Sequence, residues 1–223
     1  MTGPSRPSIH VVTDRRQVSP DARTTDDELT GLEHWFDTVL DAGVDVIQIR
    51  ERDLDAAVLR DLVRRLMART RASGPRVLVN DRADVARASG ADGVHLRADG
   101  PAVERVRTIG PDRWTIGRSV HGPAEVQAHR AADYLLFGTV FSSRSKAPGS
   151  PVAGLAGLRL AATGSQAPVI AIGGVRPDSA AACVAAGASG IAGIGIFLPE
   201  GRRDDALGAV RAAAALREVM RGC

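Results

Sequence analysis

Residues 42–49 read AGVDVIQI, and the same phrase returns at 89–96 (SGADGVHL), 131–138 (AADYLLFG) and 186–194 (AGASGIAGI). In each copy a small residue or glycine ends a helical stretch, Asp or Ser follows, and an apolar run begins. Glycine just past a helix accepts the left-handed backbone that stops it. The runs are near-continuous instead of alternating, as strands of a parallel sheet covered on its outer face require. Working outward, similar runs predict strands at 9–13, 45–49, 76–79, 92–96, 114–117, 134–138, 168–172 and 190–194. Ala-, Leu- and Arg-rich stretches with helical spacing predict helices near 28–42, 55–72, 82–89, 101–108, 123–131, 153–162, 177–186 and 204–220. Eight such βα units with few residues left over predict an α/β fold, a closed (β/α)8 TIM barrel. A flavodoxin-like sandwich would use only about five or six strands.

The 223 residues carry no Pro/Gly/Ser linker that would split them, so one barrel domain over 1–223 is expected. Residues 1–7, with Pro4 and Pro7, read as a disordered N-terminal extension lacking the apolar segment of a secretory signal. No run reaches the length of apolar residues that a membrane span needs, and a cytoplasmic location is the expectation. The formal charge is only +3, and the arginines are scattered among 26 acidic residues, which argues against a nucleic-acid stripe. Cys183 and Cys223 stand far apart, and the five histidines form no HxH or HExxH pattern, so zinc is not expected.

In a barrel of this kind the chemistry sits at the C-terminal strand ends. Polar side chains gather there: Thr13 and Asp14; Gln48, Arg50 and Glu51; Asn80 and Asp81; His95, Arg97 and Asp99; Arg118, Ser119 and His121. Alternation along a strand puts Gln48 and Arg50 on one face, and an arginine buried there needs Glu51, Asp81 or a bound anion. Asn80-Asp81 reads either as a helix cap or as a substrate or Mg2+ contact. Glycines after the last two strands leave the amides of Gly173, Gly174, Ile194 and Gly195 free to converge on a phosphate. Lys146 is the one lysine among 29 basic residues and falls in a Ser-, Gly- and Pro-rich loop beside the expected site. His121, after the fifth strand, is the candidate proton carrier.

The pieces QIRER (48–52), VNDRADVA (79–86), ADGVHL (91–96), IGRSVHG (116–122), ADYLLFGTVFSSRSK (132–146) and VIAIGGVRPD (169–178) resemble the thiamin phosphate synthase and thiazole tautomerase superfamily. The resemblance implies a (β/α)8 barrel, a small thiazole phosphate ligand and a homodimer. For the synthase, which joins a pyrimidine methyl diphosphate to a thiazole ethyl phosphate with Mg2+ and releases pyrophosphate, it implies roles for Gln48, Arg50, Asn80, Asp81, Ser119 and Lys146, with Gly173 and Gly174 as phosphate cup. Three departures stand out. Arg52 replaces the family lysine, Ser143 and Ser145 replace threonines, and the loop usually written GQED reads RADG, placing Gly100 where a metal-holding aspartate belongs. Asp99 lies one residue early. The tautomerase aromatises a carboxythiazole phosphate by proton transfer without metal or cofactor. His121 and Lys146 are its candidate catalytic residues, and Arg50 or Arg97 would balance the carboxylate. The missing carboxylate makes the tautomerase, an isomerase, the expected activity, with the synthase, a transferase, as the alternative. A barrel that binds its phosphate ligand without turnover is a further one.

Overall fold

The computed structural model describes residues 6–70, 74–143, 149, 151–198 and 208–221. Strands β1 (Ser8–Val12), β2 (Val46–Ile49), β3 (Arg76–Asn80), β4 (Gly93–Leu96), β5 (Thr115–Val120), β6 (Tyr134–Phe137), β7 (Val169–Ile172) and β8 (Gly190–Gly193) are parallel, each paired with the next. β8 pairs back onto β1, with Ile9 opposite Ile191, and the barrel is closed as the sequence predicts. The outer wall holds α1 (Arg15–Val18), α2 (Thr25–Asp41), α3 (Ala56–Arg69), α4 (Ala83–Ser89), α5 (Val103–Arg107), α6 (Gly154–Gly164), α7 (Pro177–Ala185) and α8 (Gly208–Arg221).

The alternation of each strand divides the core in two. Ile9, Ile47, Val79, Leu96 and Leu135 face outward and pack against helix residues such as Leu62 and Leu158. Val46, Leu78, Tyr134, Leu136, Ile170 and Ala192 fill the barrel. By the same two-residue period Gln48 and Arg50 share the inner face with Val46.

The repeated phrase has a mechanical meaning. Its aspartates Asp45, Asp92 and Asp133 each accept the backbone N–H of the preceding strand, from Ile9 (2.7 Å), Val77 (2.9 Å) and Ile116 (2.7 Å). Their own N–H groups donate to the carbonyls of those same residues. These three copies thus latch one strand to its neighbour at the floor of the barrel, and in the fourth Ser189 keeps only the backbone half, its N–H donating to the Val169 carbonyl. Arg217 of α8 joins the first latch by donating to Asp45 and, at 2.7 Å, to the Pro7 carbonyl, while Arg6 pairs with Asp45 at 2.8 Å. Two residues of the expected extension are therefore tied to the barrel; residues 1–5 lie outside the described ones.

Two expectations are corrected. β5 runs on to Val120, because Arg118 turns into the outer wall and Ser119 into the barrel, so polar residues continue the strand where they suggested a loop. The stretch 123–131 is not an α-helix but a 3-10 turn over Pro123–His129. A second 3-10 turn, Gly195–Phe197, follows β8 and is anchored when Trp35 Nε1 of α2 donates to the Phe197 carbonyl at 3.0 Å.

Candidate active site

The strand ends bring most of the expected residues to one rim, in two groups. On the side of β2 to β4, Gln48 Nε2 donates to Asn80 Oδ1 (2.8 Å) and Asn80 Nδ2 donates to Asp81 Oδ2 (3.0 Å). Asp81 sits at φ +59, in the left-handed region that a short polar side chain tolerates best after glycine. Three contacts hold it: its N–H donates to the His95 carbonyl (2.8 Å), Asn80 bonds one carboxylate oxygen, and the Arg97 N–H (2.8 Å) bonds the other. The helix-cap reading of Asn80-Asp81 fails, since the residue before α4 is Arg82, with no side-chain cap bond. Arg97 Nε lies 2.9 Å from Asp99 and 3.9 Å from Asp81, so the guanidinium bridges the two carboxylates. These residues border a cleft of about 350 Å³ that Asn80, Asp81, Arg97 and Gly100 share.

Arg50 does not pair with Glu51. Glu51 is buried and receives Thr13 Oγ1 (2.5 Å) together with the backbone and side chain of Arg15, itself buried against Glu28 and Asp53. Burial pushes the Glu51 carboxyl up, and the bonds from Thr13 and Arg15 pull it back. Among the described residues the half-buried Arg50 guanidinium has no hydrogen-bond or ion-pair partner. Burial, then the nearby Arg52, lowers its pKa. A charge buried without a partner is costly unless an anion joins it.

On the side of β7 and β8, Gly173, Gly174, Ile194, Gly195, Ser142 and Ser143 border a cavity of about 1140 Å³. Among the described residues no group accepts from the N–H of Gly173, Gly174, Ile194 or Gly195. Gly174 lies at φ +64, and a Cβ there would run into the carbonyl oxygens of Ser142 and Phe141. The backbone approaches that closely only because the residue is glycine.

His121 is exposed at the rim. Its Nδ1 donates to the Gly138 carbonyl at 2.6 Å and its backbone N–H to Glu125 Oε2 at 3.0 Å, which leaves Nε2 as the free nitrogen. Ser119 lies two residues below it, half-buried, bonded to His95. Lys146 and Ser145 lie outside the described residues.

Arg118 and His95 were expected among the polar strand-end residues without a role, and Tyr134 was not singled out. Arg118 points away from the site, donating to the carbonyls of Ala98 (2.7 Å), Gly100 (3.1 Å) and Pro101 (2.6 Å), and clamps the loop that carries Asp99. His95 and Tyr134 lie inside the barrel beneath Ser119. His95 takes the barrel side of β4, in register with Gly117 of β5.

At the strand ends of this (β/α)8 barrel, unpartnered amides and an unpartnered arginine share one rim among the described residues. The chain belongs to the thiamine monophosphate synthase family, whose model matches residues 18–197. It is 36% identical over 197 residues to a putative thiamine-phosphate synthase of Geobacter sulfurreducens, covering 86% of this chain and 87% of that one. It is 39% identical over 185 residues to the thiamine-phosphate synthase of Moorella thermoacetica, covering 81% and 84%. A solved thiamine phosphate pyrophosphorylase from Pyrococcus furiosus superposes with a TM-score of 0.78 at 29% identity over 96% of both chains. These relatives bear the transferase's name, and that overturns the expectation of a tautomerase and of an isomerase.

Proposed function

We propose that the protein is a thiamin phosphate synthase, a transferase that joins a pyrimidine methyl diphosphate to a thiazole ethyl phosphate and releases pyrophosphate. The observation that carries this reading is that the rim offers anion recognition twice: bare amides at β7 and β8, and the unpartnered Arg50 beside Gln48 and Asn80. A transfer between two phosphorylated substrates needs two such places.

In this reading the amides of Gly173, Gly174, Ile194 and Gly195 hold the thiazole phosphate. Gln48 and Asn80 orient the pyrimidine, Arg50 and Ser119 bind the diphosphate, and Arg97, fixed on Asp81 and Asp99, adds positive charge at the same side. The C–O bond to the diphosphate breaks, and the methylene carbon bonds to the thiazole. Fixed cations stabilise the charge that accumulates on the departing diphosphate. His121 has no proton to carry in this bond exchange.

The family resemblance implies Mg2+ held by Asp81 and a second carboxylate. The donors present do not fit that ion: position 100 is glycine, and the Arg97 guanidinium already bridges Asp81 and Asp99. No group of three or more His, Cys, Asp or Glu suited to a metal occurs among the described residues. Incubating the protein with both substrates, with and without Mg2+, tests the proposal: thiamin phosphate and pyrophosphate in equal amounts are expected, and absence of both under either condition would overturn it.

A further inference from the structure

Beneath the rim, three polar side chains form a connected chain inside the barrel, with His10 of β1 edge-on against the Tyr134 ring, centroids 5.0 Å apart. Tyr134 of β6 and His95 of β4 are 6% and 2% exposed, and their rings stack with centroids 5.5 Å apart. The Tyr134 hydroxyl is 2.9 Å from His95 Nδ1, and His95 Nε2 is 2.9 Å from Ser119 Oγ. Gly117 of β5 makes room for this arrangement, since a Cβ there would overlap the Tyr134 ring. We propose that Tyr134 and His95 form a buried relay that turns Ser119 into an obligate hydrogen-bond donor toward the substrate, with His95 as a positioning residue.

A phenol buried in a dry interior must donate its hydrogen to something. Among the described residues the one acceptor bonded to the Tyr134 hydroxyl is His95 Nδ1. A neutral imidazole that accepts at Nδ1 carries its proton on Nε2. That N–H then donates to Ser119 Oγ, so the serine's own hydrogen points away from the imidazole and into the mouth of the barrel. The opposite tautomer would strand the Tyr134 hydrogen inside the core and make Ser119 donate downward, leaving only lone pairs for the substrate. Burial keeps the imidazole neutral, pushing it down to about 3, with His10 and Arg118 adding to the effect. A neutral ring preserves the sense of the relay across the working pH range.

The tautomer follows from the barrel alone; the acceptor above Ser119, an oxygen of the diphosphate, rests on the synthase reading. The test has two corresponding arms. In protein labelled with nitrogen-15 histidine, the signal that disappears in His95→Gln is expected to be the Nε2–H tautomer and not to titrate near neutrality. An Nδ1–H pattern would overturn the relay whatever the protein catalyses. The second arm is a double-mutant cycle. Tyr134→Phe keeps the ring against Gly117, and is expected to lower kcat/KM roughly tenfold in the wild-type background but less than about twofold once Ser119→Ala is present. Equal losses in both backgrounds would overturn the proposal. His95→Gln, whose amide still donates toward Ser119, is expected to retain activity that His95→Leu loses. If the unmodified protein makes no thiamin phosphate, the synthase reading fails by itself. The same cycle is then read from the Kd of inorganic pyrophosphate, where coupling through Ser119 supports the relay and additivity rejects it.

Discussion

Arg50 is where the account is most exposed to a single substitution. Its guanidinium has no described partner, so Arg50→Ala removes nothing the folded barrel uses. The expected outcome is a fall of roughly ten- to a hundredfold in kcat/KM for the pyrimidine diphosphate, the scale of hydrogen bonds to a charged group, with an unchanged urea midpoint. A drop in stability with intact kinetics would reverse the assignment and make Arg50 structural. The inward direction of Gln48 and Arg50 was legible, because alternation along a strand is local. The partner of Glu51 was not. Arg15 lies 36 positions away and reaches Glu51 only once β1 and β2 are paired. The same holds for Arg97: RADG announced a lost carboxylate, but only the folded loop sets the guanidinium between Asp81 and Asp99.

Among the elements, the turn after β7 carries the phosphate proposal. Gly174→Ala would force a side chain at φ +64 into the carbonyls of Ser142 and Phe141. The expected result is a KM for the thiazole phosphate raised by about tenfold or more, with a stability loss of about 1–3 kcal/mol. An unaltered KM in a folded variant would place the phosphate elsewhere. Eight strands were legible because each is a short apolar run and four of them are opened by the same phrase, and the latches of Asp45, Asp92 and Asp133 explain why three of those copies carry an aspartate. The end of β5 was hidden because Arg118 and Ser119 are polar for opposite reasons, one clamping a loop from the wall and the other facing the site. α1, at four residues, is too short to show a helical period. The Pro123–His129 segment carries helix-forming residues, yet it folds as a 3-10 turn, with Gly122 and Pro123 at its start and Glu125 bonded back to the His121 N–H.

For the whole molecule, the polar thread inside the barrel links folding to pH. Burial, the leading cause for each, pushes His10 down to about 4 and His95 down to about 3. The unfolded chain binds protons on both near pH 6.5, so it holds more protons than the folded barrel in that window. Stability is therefore constant above about pH 6.5 and falls below it, by roughly 1.4 kcal/mol per histidine per pH unit, until the folded values are reached. Urea unfolding at about pH 7.5 and about pH 5 checks this; equal stabilities would mean that both imidazoles are solvated, and half the expected loss that one of them is. No described helix is long and apolar enough to cross a membrane. The central claim is that this barrel recognises two anions at separate places on one rim. A crystal structure with thiamin phosphate and pyrophosphate bound tests it most directly. The account predicts the phosphate monoester on the amides of Gly173, Gly174, Ile194 and Gly195, and pyrophosphate against Arg50 and Ser119. Both anions in one place, or either outside the rim, would contradict it.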